Sequence, residues 1–240
     1  MNMLWDSTVP TLLTTQGFAV VSGLEMCGNP ISMARSLSSL LDDTRLDTHG
    51  GPGITRFKRH DKLVYLPWSG YISRLPLPCY YRDLPSWPAL GRQYVGLGDD
   101  VLKSHAFAQL IERDVRACPM SAVDGSYPIE LGINLIRVQA ANQMTGSSPN
   151  EPHRDGERYI VIHLIRRHNI VGGENGIWSD VGNCLWTGVL HNPFDSLFVD
   201  DVRLMHHIGP IAIGSVSQAG FRDVLIVDIT PMRASKGVLA

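Results

Sequence analysis

The sequence has few cysteines and lacks any Cys-x-x-Cys pair. Four of its 240 residues are cysteine, and they lie far apart along the chain, at Cys27, Cys79, Cys118 and Cys184. Small disulfide-stapled domains and zinc ribbons both depend on closely spaced cysteines. The pattern therefore disfavours those classes and favours reduced thiols in a cytoplasmic protein.

The sequence also lacks an excess of charge and any long apolar run. Its net charge is -2, whereas proteins that bind nucleic acids or membrane surfaces usually carry a basic excess. The longest apolar stretches, residues 159–165 and 224–227, fall short of the ~20 residues of a membrane span. No Lys or Arg precedes Arg35, so the charged start of a secretory signal is missing. We expect a small-molecule substrate and no nucleic-acid or membrane partner, and the sequence indicates no oligomeric state.

Two amphipathic helices are predicted in the first half of the chain. The first begins with Asn29 as N-cap and Pro30 at the first helical position. Its apolar face consists of Ala34, Leu37 and Leu41, and the helix ends at Asp42-Asp43. The second begins at Asp99-Asp100, and its expected buried stripe is Phe107, Leu110, Ile111 and Val115.

The second half consists of short β-rich runs separated by turn formers. The runs are residues 131–138, 159–165, 184–189, 196–199, 203–208 and 221–229, with turns at 146–149 and Gly172-Gly173. This spacing predicts a mainly β fold with flanking helices, a double-stranded β-helix of the jelly-roll, cupin-like type. We expect a single domain over residues 1–240, in which a helical and β bracing region (1–125) supports a jelly-roll core with a metal site (126–240).

The segment Pro152-His153-Arg154-Asp155-Gly156 carries the strongest chemical signal. In an extended strand, residues i and i+2 point to the same side, so His153 and Asp155 can bind one ion. A third ligand from a distant strand would complete two histidines and one carboxylate, the set typical of non-haem iron oxygenases. A His-x-Asp pair is also common by chance, and a surface histidine beside a turn-forming aspartate is the competing interpretation.

The third ligand is expected at His206-His207. The two side chains would point to opposite faces of a strand, so one of them alone can ligate. The local sequence does not choose between them, and either could instead be a core histidine bonded to a backbone carbonyl.

Arg222 enters a strongly apolar run and needs a partner, because an unpaired buried charge is costly. Its planar guanidinium suits a carboxylate held at two points, such as the distal carboxylate of a dicarboxylic acid. A salt bridge to Asp223 or Asp228, or a surface position, is the alternative.

These segments occur in a characteristic order. Residues 136–138 lead into His153-Arg154-Asp155-Gly156, followed by His163-Leu164-Ile165, Arg167, Gly172-Gly173-Glu174, Asp200-Asp201, Arg203, His206, Pro210 and Phe221-Arg222-Asp223. In this order the chain resembles the 2-oxoglutarate/Fe(II)-dependent dioxygenases that include free L-amino-acid hydroxylases such as the isoleucine 4-hydroxylases. The resemblance covers most of residues 130–229 and is loose over residues 50–128.

The resemblance implies Fe(II) bound by His153, Asp155 and His206, which selects His206 over His207. It also implies O2 and 2-oxoglutarate as cosubstrates, with the distal carboxylate of 2-oxoglutarate on Arg222. The implied reaction is hydroxylation of a C–H bond in a small free aliphatic L-amino acid, with succinate and CO2 as coproducts. Desaturation or ring closure by the same iron chemistry, a jelly-roll metal enzyme without 2-oxoglutarate, and a non-catalytic cupin-like binding module are the alternatives.

Two further features are expected to have ordinary structural roles. Arg56, Lys58 and Arg59 could meet a substrate carboxylate, but we expect a solvated strand face, since charge runs usually are one. His163 lies in an apolar run, and we expect a core residue or a support for a ligand rather than a metal ligand.

Overall fold

The described part of the chain is mainly β-structure with a few helices. The computed structural model describes residues 3–23, 30–47, 55–75, 79–80, 92–121, 124–140, 151–215 and 219–232. Asn29, Cys27 and the turn predicted at residues 146–149 lie outside the described residues. Cys118 is a buried free thiol and Cys184 is an exposed one. No helix among the described residues is long and apolar enough to cross a membrane.

Helices and strands are interspersed up to residue 126, and the described residues after it form strands and connections. The helices are α1 (Met3–Gln16), α2 (Pro30–Asp42), α3 (Asp99–Leu102) and α4 (His105–Ala117), with a 3-10 turn at Asp124–Ser126. The strands are β1 (Phe18–Val21), β2 (Thr55–Leu66), β3 (Tyr71–Arg74), β4 (Cys79–Tyr80), β5 (Arg92–Gln93), β6 (Ile129–Ala140), β7 (Tyr159–His168), β8 (Ile170–Gly172), β9 (Asn175–Trp178), β10 (Cys184–Gly188), β11 (Ser196–Asp200), β12 (Met205–Ile208), β13 (Ile211–Ile213) and β14 (Gly220–Pro231).

The predicted helices are present, with one difference. The second predicted helix is divided at Lys103–Ser104, because the Ser104 side chain accepts a hydrogen bond from the Phe107 N–H and starts α4 as its N-cap. The whole predicted stripe of α4 is buried. The helix α1 was not predicted.

Two antiparallel sheets face each other. The major sheet has the order β1-β11-β7-β14-β6-β2-β3, and the minor sheet has the order β10-β9-β12. A third pair, β13-β8, and the short pair β4-β5 complete the described strands. The predicted β-runs are confirmed, except that β12 begins at Met205 because residues 201–203 form a turn closed by the Arg203 N–H on the Asp200 carbonyl.

The major sheet separates two cores. On its outer face, Val161, Leu225 and Leu131 pack with the helices in one hydrophobic cluster. On its inner face, Ile160, Ile162, Leu164, Leu197, Val199 and Val224 pack with Ile177 of the minor sheet in a second cluster. The inner face is apolar at β11 and β7 and becomes polar towards β6 and β2. The division of the chain at residue 125 stays a prediction, although β1, β2 and β3 of the first half complete the major sheet.

Candidate metal centre and its surroundings

A backbone bridge brings His153 and His206 together. His153 precedes β7 and is not part of a regular strand, yet its N–H donates to the His206 carbonyl at 3.0 Å. The His206 N–H donates back to the His153 carbonyl at 2.9 Å. The centroids of the two imidazole rings are consequently 4.5 Å apart.

Asp155 completes a group of three possible metal ligands. Its carboxylate oxygens lie 3.7 Å from His153 Nε2 and 3.5 Å from His206 Nε2. One donor atom from each of the three residues lies within 4.8 Å of the other two, so one ion can be shared. The side chains of His153 and Asp155 are about one-fifth exposed, while His206 is buried. The group thus has an open side.

His206, and not His207, belongs to this group. Neighbouring residues in a strand point to opposite faces, and His206 lies on the inner face opposite Ile177 of the second core. Of the two histidines that the local sequence left open, the structure brings His206 into the group, as the resemblance implied.

The two histidines direct the same ring nitrogen to the group. His153 Nδ1 lies 2.9 Å from the Glu151 carbonyl, which can only accept, so Nδ1 carries the proton. His206 Nδ1 lies 3.4 Å from an Asp201 carboxylate oxygen, which also attracts a proton to Nδ1. The lone pair of Nε2 is left to face Asp155 in both residues, which is the tautomer that a metal ligand needs.

Asp201 fixes the segment that carries Asp155. Its carboxylate is almost fully buried and accepts the backbone N–H groups of Asp155 at 3.0 Å, Gly156 at 2.8 Å and Glu157 at 3.1 Å. Gly156 has a φ of +88°, which allows the chain to turn tightly around the carboxylate. Asp201 had no predicted role, because a contact across more than forty residues leaves no local signal.

The acidic surroundings change the protonation of His206. Burial lowers the pKa of His206, but Asp155 and Asp201 outweigh burial and raise it to about 9. The group therefore attracts positive charge, and a divalent ion can replace the proton. Two imidazoles and one carboxylate on one side of an ion are the donor set of non-haem Fe(II) sites.

Arg222 lies buried in β14, and neither neighbouring aspartate is its partner. Its Nη2 donates to Asn175 Oδ1 at 3.1 Å, and its buried Nε makes no hydrogen bond within the described chain. Asp223 pairs with Arg137 at 2.6 Å, on the opposite face. Burial, and then the nearby Arg167, lower the pKa of Arg222 to about 9. The salt-bridge alternative is therefore wrong.

The basic stretch of β2 is not the solvated face that we expected. Arg56 forms an ion pair with Asp47 at 2.6 Å, and Arg59 donates to the carbonyls of Leu40 at 2.8 Å and Gly96 at 3.0 Å. Lys58 is half-buried, and burial and then Arg56 lower its pKa to about 8. The expectation was wrong because the carbonyls and the carboxylate that satisfy these side chains come from distant segments.

A polar network occupies the inner face beside Lys58. His60 Nδ1 lies 2.9 Å from Asn134 Oδ1, and Asn134 Nδ2 donates to Asp228 Oδ2 at 2.8 Å. Burial, and then the negative charge of Asp155, raise the pKa of Asp228 well above its ordinary value, while Lys58 opposes this rise. Gly132 provides the necessary room, since a Cβ there would lie 2.5 Å from Asp228 Oδ2.

His163 belongs to the core, as expected. Its Nδ1 lies 2.7 Å from Ser196 Oγ and its Nε2 lies 3.0 Å from Asp114 Oδ2. His163, Asp114 and Ser196 are all completely buried, so this group has no access to a substrate.

A family model for 2OG-Fe dioxygenases matches residues 35–228 of the chain. The chain belongs to this family. It is a 2-oxoglutarate/Fe(II)-dependent dioxygenase, and the family uses Fe(II), 2-oxoglutarate and O2. The dioxygenase carries its group of possible metal ligands within the matched region. No curated protein sequence matches the chain at a significant level.

Solved structures agree with the family assignment at the level of the fold. IDO from Bacillus thuringiensis has a TM-score of 0.79 and 18% identity, over 97% of the dioxygenase and 98% of IDO. A bsmA homolog from Methylobium petroleophilum has a TM-score of 0.83 and 17% identity, over 95% of both chains. The Fe(II)/(alpha)ketoglutarate-dependent dioxygenase TqaL has a TM-score of 0.71 and 13% identity, over 99% of this chain and 93% of TqaL. The fold is the double-stranded β-helix that we predicted.

Proposed function

We propose that this dioxygenase binds Fe(II) through His153 Nε2, a carboxylate oxygen of Asp155 and His206 Nε2, and hydroxylates a C–H bond of a small free aliphatic L-amino acid. The observation that carries the proposal is the close approach of His153, Asp155 and His206. Both Nε2 lone pairs and one carboxylate converge from one side, and the open side leaves room for further ligands. Bound Fe(II) would activate O2 while 2-oxoglutarate is converted to succinate and CO2.

Arg222 is the proposed anchor for the distal carboxylate of 2-oxoglutarate. Its side chain reaches Asn175, which is paired with Ile208, two residues beyond His206 on β12. Two residues of a strand span about 6–7 Å, a distance comparable to the length of extended 2-oxoglutarate. The buried Nε of Arg222 makes no hydrogen bond to any described residue and is the polar atom that such a carboxylate would satisfy.

The charged pair of the inner face supports an amino acid as substrate. Lys58 on β2 and Asp228 on β14 flank β6, and each influences the ionisation of the other. Both also experience the charge of Asp155, one of the proposed ligands. Asp228 suits the ammonium group of an amino acid, and Lys58 suits its carboxylate. The head group would be held on the polar half of the inner face, with the aliphatic part directed to the metal.

The first experiment is succinate formation by the purified protein with Fe(II), ascorbate, 2-oxoglutarate and a panel of free aliphatic L-amino acids. We expect stimulation by one or a few of them and no turnover in His153→Ala. Product mass then separates hydroxylation, which adds oxygen, from desaturation or ring closure, which removes two hydrogens. Succinate without stimulation by any amino acid would reject the substrate class, and no succinate from iron-loaded protein would reject the dioxygenase role.

Asp228→Asn tests the head-group assignment. It keeps the size of the side chain but replaces one of the carboxylate oxygens that would accept hydrogen bonds from the ammonium group. We expect the KM for the amino acid to rise about tenfold, since a charged hydrogen bond contributes roughly 1.5–3 kcal/mol. The affinity for 2-oxoglutarate should stay unchanged, and an equal loss for both ligands would contradict the assignment.

A further inference from the structure

Two arginines lie side by side at one end of the inner face. Arg222 on β14 is directly paired with Arg167 on β7, and directly opposite residues of an antiparallel pair project to the same face of the sheet. Gly173 lies between the two side chains. A Cβ on Gly173 would be 2.9 Å from Ile211 Cγ2, 3.2 Å from Arg167 Nη1 and 3.7 Å from Arg222 Cδ. The absence of a side chain on Gly173 thus lets its backbone lie close to both arginines.

Neither arginine has a carboxylate partner within the described residues. Arg167 Nη2 donates to the Gly172 carbonyl at 2.9 Å, and Arg222 donates to the neutral amide of Asn175. Arg167 Nη1 and Arg222 Nε are both buried and make no hydrogen bond in this part of the structure. By contrast, other arginines of the chain pair with carboxylates, namely Arg56, Arg74, Arg137 and Arg158.

Like charges on directly opposite residues destabilise a sheet, and buried donors without acceptors cost further free energy. Burial lowers the pKa of Arg167 too. Asn175 and Gly172 offer neutral oxygens, which do not compensate two positive charges. The arrangement is therefore complementary to an anion with at least two acceptor oxygens.

We propose that Arg167 and Arg222 together bind the distal carboxylate of 2-oxoglutarate, one guanidinium from each of two neighbouring strands. The inference rests on the proposed anchoring role of Arg222 and adds Arg167 as a second cation that sets cosubstrate specificity. A second positive charge favours a dicarboxylate over 2-oxo acids that end in a methyl group. Gly173 is needed because a side chain there would press against Ile211 and the Arg167 guanidinium.

The test is anaerobic binding of 2-oxoglutarate to the Fe(II)-loaded protein. Binding is measured by the visible charge-transfer absorption of the chelate, which requires no turnover. Arg167→Gln should weaken binding about 10- to 100-fold, the range for loss of one charged hydrogen-bonding partner. 2-Oxobutyrate chelates through the same keto and carboxylate oxygens but lacks the distal carboxylate. Its affinity should be equal in the wild type and in Arg167→Gln.

Arg166→Gln is the matched control, because Arg166 lies next in sequence, is exposed, and has its guanidinium 5.1 Å from the Phe221 ring. It should bind both ligands like the wild type. Tight binding of 2-oxoglutarate by Arg167→Gln would overturn this inference and leave the proposed function intact. Equal weakening for both ligands would also overturn it, because a general structural effect would then explain the loss. Failure of the wild type to bind 2-oxoglutarate would overturn the proposed function as well.

Discussion

The protein contains two clusters built from the same residue types, and they have opposite characters. In the core cluster, His163 has Ser196 on one ring nitrogen and Asp114 on the other, and all three are completely buried. In the metal cluster, His153 and His206 have acceptors near Nδ1 alone, and both Nε2 atoms point towards Asp155. Histidine and aspartate thus become a structural group or a candidate metal site according to which ring nitrogens are already occupied.

The pKa shifts of these residues differ in the same way. Burial raises the pKa of Asp114, and the adjacent His163 opposes this rise. Asp155 and Asp201 stay close enough to His206 to overcome burial and raise its pKa. A cluster with surplus negative charge favours the binding of a cation, whereas a cluster whose ring nitrogens are both occupied does not.

His153→Ala tests the difference between the two clusters most directly. We expect loss of Fe(II)-dependent succinate formation by more than about 100-fold, because removal of a ligand exceeds the 10–100-fold effects typical of residues that orient ligands. The free energy of unfolding should change by less than about 1 kcal/mol, since the side chain is partly exposed. Activity assays and urea unfolding measure the two quantities, and normal turnover would remove His153 from the metal site.

His163→Ala should show the reverse pattern. It leaves Asp114 and Ser196 unpartnered in the core and creates a cavity, so we expect a loss of about 3 kcal/mol in stability. Fe(II) affinity measured below the unfolding transition should stay within about twofold of the wild type. His168→Ala, a half-buried position on the same strand, is the control and should cost less. A large change in Fe(II) affinity for His163→Ala alone would contradict the division between the clusters.

Asp201→Asn alters the metal cluster without removing any of its three possible ligands, and so tests the support of the ligands separately. The amide cannot accept three backbone N–H groups and attract the His206 Nδ1 proton at once. We expect Fe(II) affinity to fall about 10- to 100-fold, as for other partners of ligating histidines. Metal titration measures this, and an unchanged affinity would show that the backbone bridge suffices to orient the site.

His60 provides a third environment, in which the expected effect is a pH dependence of stability. It is buried against the neutral Asn134, and burial followed by the charge of Lys58 lowers its pKa to about 3. The folded state then binds fewer protons than the unfolded state between pH 6.5 and 3. This contribution to stability is present above pH 6.5 and is lost as the pH falls, by at most about 1.4 kcal/mol per pH unit. Urea unfolding from pH 7 to 4 should show a shallower decline for His60→Gln, and an identical decline would refute the assignment.

The strands around the candidate metal site were predictable, because their apolar residues occur in short dense runs. β6, β7 and β14 were found in this way, and the His-x-Asp segment before β7 contains two of the three residues that the structure brings together. α1 was missed because Pro10 and Thr8, Thr11, Thr14 and Thr15 are poor helix formers, and packing against β1 and α4 stabilises it instead.

The polar half of the site could not be predicted for a different reason. Arg56, Lys58 and Arg59 resemble a solvated run, since the groups that satisfy them, such as Asp47 and the Gly96 carbonyl, are not recognisable from β2 itself. Asp201 and Arg167 occur in the ordered pattern of segments but had no predicted role. The roles proposed for them follow from contacts with distant strands. Local patterns reveal which residues form a strand, whereas charge compensation depends on which strands become neighbours.

The backbone bridge between His153 and His206 has a consequence for the thermodynamics of metal uptake. Bringing two points 53 residues apart together in a flexible chain costs about 3–4 kcal/mol in loop-closure entropy, apart from a constant term. Two main-chain hydrogen bonds and the surrounding sheets already hold these points together, so folding has met that cost before an ion arrives. The ion encounters a preorganised site, and its binding free energy can appear as affinity rather than as ordering of the chain.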